Sequence, residues 1–234
     1  MLTLAIPKKE TPDTSSLRYD PIDEPFVDVG EYSNGRILVD MQYYRQGLYG
    51  AINKAYLRLT VAKKLISVAE NLPNGYKIKI YDAWRPFEVQ KGLFDAYLAK
   101  ISSLPENLGK SPEELMDMAR RYVSLPDRQK RFSYVHSSGG AVDITLTNEN
   151  GVELDMGCGF DDFSPLADTD AFEGKADSLA CQNRRILYNL MIEVGFTNYS
   201  PEWWHYDFGD IFWGAAAGEA VRYPSVYSVS DMMF

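Results

Sequence analysis

The pattern of hydrophobic and polar residues predicts a helix followed by a strand in the first third of the chain. Over residues 52–71, apolar side chains recur at intervals of four and three, which is the spacing of one face of an amphipathic helix. Pro73 and Gly75 end that pattern. Residues 76–81 then alternate with a period of two, as in a half-buried strand. An apolar run at 37–41 predicts another short strand.

The rest of the chain carries further helix and strand patterns. Ser111, Pro112 and Glu114 form a capping-box sequence, which predicts a helix that ends near residues 124–126. The remaining predicted elements are, in chain order, a helix over 86–100, antiparallel strands over 141–146 and 152–156 joined by a turn at 148–151, a helix over 183–194 and a strand over 203–208. No clear pattern marks the residues after 214.

These elements predict the fold class and the domain organisation. Helices and hairpin-like strands are mixed without regular alternation, and no glycine-rich phosphate loop is present, so we expect an α+β fold rather than a doubly wound parallel sheet. The expected architecture is a single domain over residues 35–234, with a mainly antiparallel central sheet flanked by helices. Residues 1–34 are rich in proline and acidic residues, which predicts an extended N-terminal arm packed on the body.

Composition and charge exclude several classes of function. The chain has 234 residues, 45% of them hydrophobic, and a net charge of −9 without a basic stripe, which argues against nucleic-acid binding. No apolar run is long enough for a membrane-spanning helix. The N-terminus has no basic region followed by an apolar stretch, so we expect a cytoplasmic protein, with the cell envelope as the alternative if a leader precedes this sequence. The oligomeric state is left open.

Cysteine usage does not indicate a cysteine-rich metal site. Cys158 and Cys181 are the only cysteines in the sequence, and they are too few and too far apart to form such a site. We expect two unpaired thiols. The alternative is a disulfide, which would imply an oxidising compartment.

The two histidines of the chain each lie near carboxylates at a spacing that suits a metal ion. His136 precedes Asp143 by seven residues, and His205 follows Glu202 by three. Two imidazoles and one carboxylate make a three-ligand catalytic zinc site with an open position for water. Glu202 could then act as the base on that water. In a regular strand Glu202 and His205 would face opposite sides, so Pro201 suggests an irregular entry into the strand.

Local sequence supports two further features of this candidate site. Gly139 and Gly140 lie between His136 and Asp143 and permit a tight reversal that brings both side chains together. Arg85 follows a predicted strand and lies near Asp82, so its guanidinium could stabilise the oxyanion formed when water attacks a carbonyl. The alternative for Arg85 is a surface ion pair beside a turn.

Four segments together resemble the zinc D-alanyl-D-alanine dipeptidases, the VanX-like branch of the D-Ala-D-Ala metallopeptidases. Residues 136–143 are similar to the His-x-x-Gly-x-Ala-x-Asp zinc segment of that family, and residues 202–205 to its Glu-x-Trp-His segment. Residues 81–86 are similar to Tyr-Asp-x-Tyr-Arg-Pro, and residues 156–161 to Met-Gly-x-x-Phe-Asp. The resemblance extends over roughly residues 38–208.

The resemblance implies a D-Ala-D-Ala metallopeptidase or Hedgehog-like fold and a site with assigned roles. His136, Asp143 and His205 would bind one zinc ion, with Glu202 as the base and Arg85 stabilising the tetrahedral intermediate. The same resemblance implies that Asp161, together with Tyr43, binds the free amino group of a small D-amino-acid dipeptide. A buried carboxylate there would reject peptides extended at the amino end, because their binding would leave its charge unpaired.

The sequence also departs from the family, and the departures leave alternatives open. Tyr134 and Ser138 stand where serine and arginine are usual, Cys158 stands where threonine or serine is usual, and the match is weaker around Tyr43. These changes leave the zinc chemistry intact but affect substrate preference. The alternatives are a D,D-carboxypeptidase or peptidoglycan endopeptidase of the same family, an Fe(II) oxygenase with two histidines and one carboxylate, and a non-catalytic zinc-binding module.

Overall fold

A five-stranded sheet forms the centre of the computed structural model, which describes residues 4–32 and 35–234. The strands in chain order are β1 (Phe26–Asp28), β2 (Ile37–Val39), β3 (Tyr56–Arg58), β4 (Lys77–Asp82), β5 (Ala141–Thr147), β6 (Thr197–Asn198) and β7 (His205–Asp207). The α-helices are α1 (Val29–Tyr32), α2 (Gln42–Arg45), α3 (Leu59–Asn71), α4 (Phe87–Ser102), α5 (Pro112–Arg120), α6 (Leu179–Glu193) and α7 (Ile211–Ala217).

The central sheet has the strand order β2-β4-β5-β7-β6, and β1 pairs with β3 in a separate two-stranded sheet. The predicted α+β class is confirmed. The sheet is partly mixed rather than mainly antiparallel as expected, because β2 and β4 are parallel while the other pairings are antiparallel. A parallel pair needs a long crossover connection, and the segment between these two strands, which contains α3, provides it.

Hydrophobic packing places α3 and α6 in one core with the central strands. Leu65 of α3 and Leu187 of α6 are fully buried in the same cluster as Val142 and Ile144 of β5. Because side chains alternate along a strand, Asp143 points to the opposite face of the sheet from these two residues. Helices α4 and α5 pack against each other around a smaller cluster that includes Phe94. The polar face of β5 is therefore the face available for a functional site.

Several predicted elements differ from the structure in their bounds. The helix predicted over 52–71 begins only at Leu59, because Tyr56–Arg58 forms β3 and pairs with β1. Leu57 is buried in β3 and would also face the core in a helix, so hydrophobic spacing alone could not distinguish a helix from a strand here. The strand predicted over 152–156 is reduced to an isolated bridge between Thr147 and Glu153. The helix that begins at the capping box ends at Arg120 rather than near residues 124–126, and α7 extends into the segment after residue 214, where no pattern was found.

Other local predictions are confirmed. The Ser111 hydroxyl accepts a hydrogen bond from the Glu114 backbone N–H, and the Glu114 carboxylate accepts one from the Ser111 N–H, so the capping box is complete. Cys158 and Cys181 are free thiols. Within the described ranges, no helix is long and apolar enough to cross a membrane. The division into an arm over residues 1–34 and a domain over 35–234 stays a prediction.

The tight turn between His136 and β5 requires glycine at both positions 139 and 140. Gly139 has a φ of 73°, and a Cβ atom on it would lie 2.3 Å from the ring of Phe26. A Cβ atom on Gly140 would lie 2.4 Å from the carbonyl oxygen of Phe208 in the neighbouring backbone. Only glycine therefore allows the chain to turn from His136 into β5 at this close packing distance.

We predict that Gly139→Ala destabilises the protein by more than about 2 kcal/mol, because a left-handed conformation and a steric clash add together. The measurement is the free energy of unfolding in urea. Gly92→Ala is the matched control, since Gly92 lies in α4 with nothing within 4 Å of its added Cβ. That change should stabilise the helix by about 0.5–1 kcal/mol. Equal effects of the two substitutions would contradict the assigned role of Gly139.

Candidate active site

The register of three neighbouring strands builds one side of the candidate site. Asp82 of β4 is aligned with Asp143 of β5, and Asp143 is aligned with His205 of β7. Residues opposite each other in neighbouring strands project from the same face of a sheet. The three side chains therefore form a row across the polar face. All three are buried, with exposed fractions of 2–3%.

His136 joins this row from the short 3-10 helix Val135–Ser138, which precedes the glycine reversal. Its Nε2 atom lies 3.3 Å from Nδ1 of His205 and 3.4 Å from Oδ2 of Asp143. Nδ1 of His205 lies 2.9 Å from Oδ1 of Asp143. The predicted convergence of these three residues on one point is thus present in the structure.

The spacing of these three donor atoms suits a tetrahedral zinc ion. Zinc bonds of about 2.0–2.2 Å to nitrogen and oxygen, at tetrahedral angles, hold ligand atoms roughly 3.3 Å apart. The observed separations of 2.9, 3.3 and 3.4 Å are close to that value. Two imidazoles and one carboxylate are also the donor types that zinc prefers at catalytic sites. His136, Asp143 and His205 could therefore hold a metal ion.

Hydrogen bonds on the far side of each imidazole fix its tautomer. Nδ1 of His136 lies 2.7 Å from the carbonyl oxygen of Ala83, to which it donates, so Nε2 keeps its lone pair for the site. Nε2 of His205 lies 2.8 Å from Oδ1 of Asp207, which leaves Nδ1 free in the same way. Such outer partners orient metal-binding histidines and raise their basicity. Asp207 was not predicted, although its position two residues after His205 on a strand places both side chains on one face.

Neighbouring charges shift the pKa values of Asp143 and His205 strongly. Burial opposes the charged form of Asp143, but His136 and His205 outweigh it and hold the pKa of Asp143 well below its usual range. Burial likewise opposes protonation of His205, whereas Asp207 and Asp143 raise the pKa of His205 well above its ordinary value. In the absence of a metal, these carboxylates therefore favour a proton on His205 where a cation would otherwise bind.

Glu202 reaches the site from a turn rather than from a strand. The His205 N–H donates to the Glu202 carbonyl oxygen at 3.2 Å, and this turn places Oε2 of Glu202 3.8 Å from Nδ1 of His205. The side chain remains 28% exposed toward the cavity. Burial raises the pKa of Glu202 to about 7, with His205 opposing the shift and Asp143 adding to it. The irregular entry predicted at Pro201 thus brings base and ligand together.

Arg85 lies beside Asp143 and is held in a fixed orientation. Its Nε donates to Asp82 at 2.7 Å, its Nη1 donates to Gln90 at 2.8 Å, and its Nη2 lies 3.6 Å from Asp143. Burial opposes its charge, but Tyr43 and Asp82 raise the pKa of Arg85 above its ordinary value. Arg85 is therefore a buried permanent cation beside the metal-binding group, not a surface ion pair. Gln90 was not predicted.

Asp161 and Tyr43 meet in the same cavity. The Tyr43 hydroxyl donates to Oδ2 of Asp161 at 3.1 Å, and the guanidinium of Arg85 lies 4.8 Å from the centre of the Tyr43 ring. Burial raises the pKa of Asp161 to about 6, against the opposing charge of Arg85. Asp161 has a φ of 57°, which is rare for a residue with a side chain. Such strain is typical of functional positions.

One cavity of about 360 Å³ connects these groups. Tyr43, Arg85, His136, Asp143, Asp161, Glu202 and His205 all line it, and Asp82 contacts it through Arg85. Part of the wall comes from α4 and from the end of α5, and the ring centre of Tyr97 in α4 lies 5.6 Å from that of Phe163, which follows Asp161 by two residues. This wall was not predicted, because the helical patterns of α4 and α5 carry no catalytic motif.

These features together are typical of a metallopeptidase site in an α+β domain: a buried group of two histidines and one carboxylate that could hold a metal ion, beside a carboxylate of raised pKa and a cation. The sequence model of the peptidase family M15, described as D-ala-D-ala dipeptidase, matches residues 46–216. The chain therefore belongs to this family.

The chain is also similar to several individual proteins. The D-alanyl-D-alanine dipeptidase of Synechocystis sp. is 27% identical over 81% of this chain and 77% of its own length. The enzyme of the same name from Escherichia coli K12 is 32% identical over 64% of this chain and 63% of its own length. A solved structure of the vancomycin-resistance D,D-pentapeptidase VanY with Zn(II) has 16% identity and a TM-score of 0.43, over 73% of this chain and 84% of that one.

We predict that Asp207→Asn weakens zinc binding by about 10–100-fold, because it replaces the charge-assisted hydrogen bond that orients His205 with a weaker one to a neutral amide. The measurement is competition with a chromogenic chelator, expressed as zinc affinity for one site per chain. Asp117→Asn, at an exposed position of α5, is the control and should leave the affinity unchanged. An unaltered affinity in Asp207→Asn would show that this hydrogen bond does not support the site.

Proposed function

We propose that this chain is a zinc-dependent dipeptidase that hydrolyses D-alanyl-D-alanine or a similar dipeptide. One observation carries the proposal: a metal-binding group, a base of raised pKa and a buried carboxylate suited to an ammonium group line a single cavity. Membership of the D-ala-D-ala dipeptidase family and the names of the relatives support the same substrate.

His136, Asp143 and His205 would hold one zinc ion. When bound, zinc supplies Lewis acidity toward a carbonyl oxygen and makes water a better nucleophile near neutral pH. The chain contributes a preorganised donor set: the outer hydrogen bonds turn Nε2 of His136 and Nδ1 of His205 toward the site, and Asp143 is ionised because both imidazoles face it. The site therefore requires little rearrangement to accept the cation.

Glu202 is placed to manage the protons of the reaction. Its carboxylate lies within reach of the donor group, and a pKa of about 7 lets it accept a proton from the attacking water near neutral pH. The same carboxyl group can then deliver that proton to the nitrogen of the leaving amino acid. One residue thus serves as base in the first half of the reaction and as acid in the second.

Arg85 is placed to stabilise negative charge that develops on the carbonyl oxygen. Two of its nitrogens are committed to Asp82 and Gln90, which holds the guanidinium plane still. Nη2 lies toward Asp143 and the cavity, where it can donate to the oxyanion. Preorganised donors of this kind are most effective where water is excluded.

Asp161 and Tyr43 would bind the amino end of the substrate. A substrate ammonium beside Asp161 replaces the lost hydration of that carboxylate with a charge-assisted hydrogen bond. An acylated or extended amino end brings no such charge and leaves the buried carboxylate without a partner. This difference favours free dipeptides over internal segments of longer peptides.

We expect zinc-loaded protein to release free D-alanine from D-alanyl-D-alanine, and Glu202→Ala to reduce turnover by about 10²–10⁴-fold while zinc remains bound. D-Alanine is measured enzymatically and zinc by elemental analysis. Glu193→Ala, an exposed position at the end of α6, is the matched control and should retain full activity.

Two substrates tested in parallel separate this function from its alternatives. Cleavage of the free dipeptide, but not of the amino-blocked dipeptide, would support a dipeptidase. Release of D-alanine only from longer peptides would favour a D,D-carboxypeptidase, and no release from any peptide by zinc-loaded protein would favour a binding module. A Glu202→Ala variant with most of its activity would refute the assignment of the base.

Lowering the pH through about 6 should raise the KM for D-alanyl-D-alanine, because protonation of Asp161 removes the charge that pairs with the substrate ammonium. KM is measured from about pH 5 to about pH 7, where the substrate amine stays protonated. Propionyl-D-alanine, which lacks the ammonium group, is the control, and its Ki should not follow the ionisation of Asp161. Parallel pH dependences of the two constants would contradict this role of Asp161.

A further inference from the structure

Arg184 of α6 is buried and donates hydrogen bonds to the loop that carries Asp161. We propose that Arg184 is a positioning residue for Asp161 and thereby sets the preference of the site for substrates with a free amino group. This inference rests on the proposed function and names a determinant of its specificity. The Asp161 loop is defined here as residues 156–168.

Arg184 donates to main-chain carbonyl groups at both ends of the Asp161 loop. Its Nε donates to Met156 at 2.8 Å, its Nη1 to Asp168 at 2.6 Å and its Nη2 to Leu166 at 2.8 Å. Only 2% of the residue is exposed. Three directed hydrogen bonds from one planar group fix the distance between the two ends of the loop.

Neighbouring residues strengthen this attachment of the loop to α6. Asn183 donates to the carbonyl oxygen of Asp155 at 2.8 Å, one residue before the loop begins. The Phe172 ring lies 4.8 Å from the Arg184 guanidinium. Gly157 has a φ of 85°, and a Cβ atom on it would lie 2.3 Å from that ring. The loop therefore begins in close contact with the residues that surround Arg184.

The conformation of Asp161 makes its position dependent on this support. Its φ of 57° lies in the left-handed region, which is unfavourable for residues with a Cβ atom. Such a conformation persists only where the surrounding structure enforces it. Phe160 packs its ring 4.9 Å from that of Tyr81, which anchors the middle of the loop, while Arg184 fixes the ends. Loss of the end contacts would allow Asp161 to relax away from Tyr43 and the cavity.

A lysine in place of Arg184 keeps the charge but cannot reproduce three directed bonds at these positions. We expect Arg184→Lys to raise the KM for D-alanyl-D-alanine at least about tenfold, with a change in kcat of less than about threefold. The Ki of propionyl-D-alanine should remain unchanged, since that ligand does not use Asp161. Arg36→Lys is the matched control, because Arg36 donates to the carbonyl groups of Ala69, Glu70 and Leu72 at a different site.

A double-mutant cycle separates positioning from a general effect on the fold. Arg184→Lys introduced into Asp161→Asn should change the affinity for D-alanyl-D-alanine less than about twofold. The reason is that Arg184 is proposed to act through the Asp161 carboxylate, which Asp161→Asn has already removed. Additive effects, or equal weakening of D-alanyl-D-alanine and propionyl-D-alanine, would overturn the proposal. Asn183→Ala provides a milder variant if Arg184→Lys fails to fold, and it should raise the KM about threefold with an unchanged Ki.

Failure of the proposed function and failure of this inference give different results. If wild-type protein releases no D-alanine from D-alanyl-D-alanine, the dipeptidase function fails. Wild type and Arg184→Lys are then compared by their dissociation constants for D-alanyl-D-alanine and propionyl-D-alanine, measured by calorimetry on the zinc-loaded protein. Selective loss of the amine-bearing ligand in Arg184→Lys would still support the positioning role, and equal affinities of variant and wild type would refute it.

Discussion

The pairing register of β4, β5 and β7 is the constraint on which the site depends. Asp82, Asp143 and His205 are aligned across these strands, so a shift of one residue in either pairing would turn a functional side chain into the hydrophobic core. The register is enforced by the residues between them, since Val142 and Ile144 are fully buried in the core shared with α3 and α6. Apolar burial therefore positions the polar row.

A second constraint is the balance of buried charge. A buried ion without a partner costs several kcal/mol, and here every charged group of the row has one: Arg85 contacts Asp82, and Asp143 lies between two imidazoles. Asp207 completes this arrangement by accepting from His205. Because these carboxylates also favour a proton on His205, zinc binding must displace that proton, which couples metal affinity to pH.

The sequence predicted the chemistry of the site better than its surroundings. His136, Asp143, Glu202 and His205 could be found because their spacing suits a metal and a base, and a tight turn was expected at Gly139. Residues that hold another group in place, through a side chain or a main-chain carbonyl group, carry no such signal, so neither Gln90 nor Arg184 could be predicted. For the same reason the continuous apolar pattern over 52–71 concealed β3, whose identity depends on pairing with a distant strand.

Helix α6 links both ends of the cavity through that kind of main-chain contact. Its apolar face is anchored in the core by Leu187 and Met191, while Arg184 holds the Asp161 loop. Within that loop, the carbonyl oxygen of Ala167 accepts from the N–H of Trp203 at 3.0 Å, immediately after the candidate base. The carboxylate proposed to bind the amino end and the proposed base are thus connected through one loop that α6 supports. We expect a short peptide to contact both carboxylates at the separation that this loop sets, which would favour one substrate length.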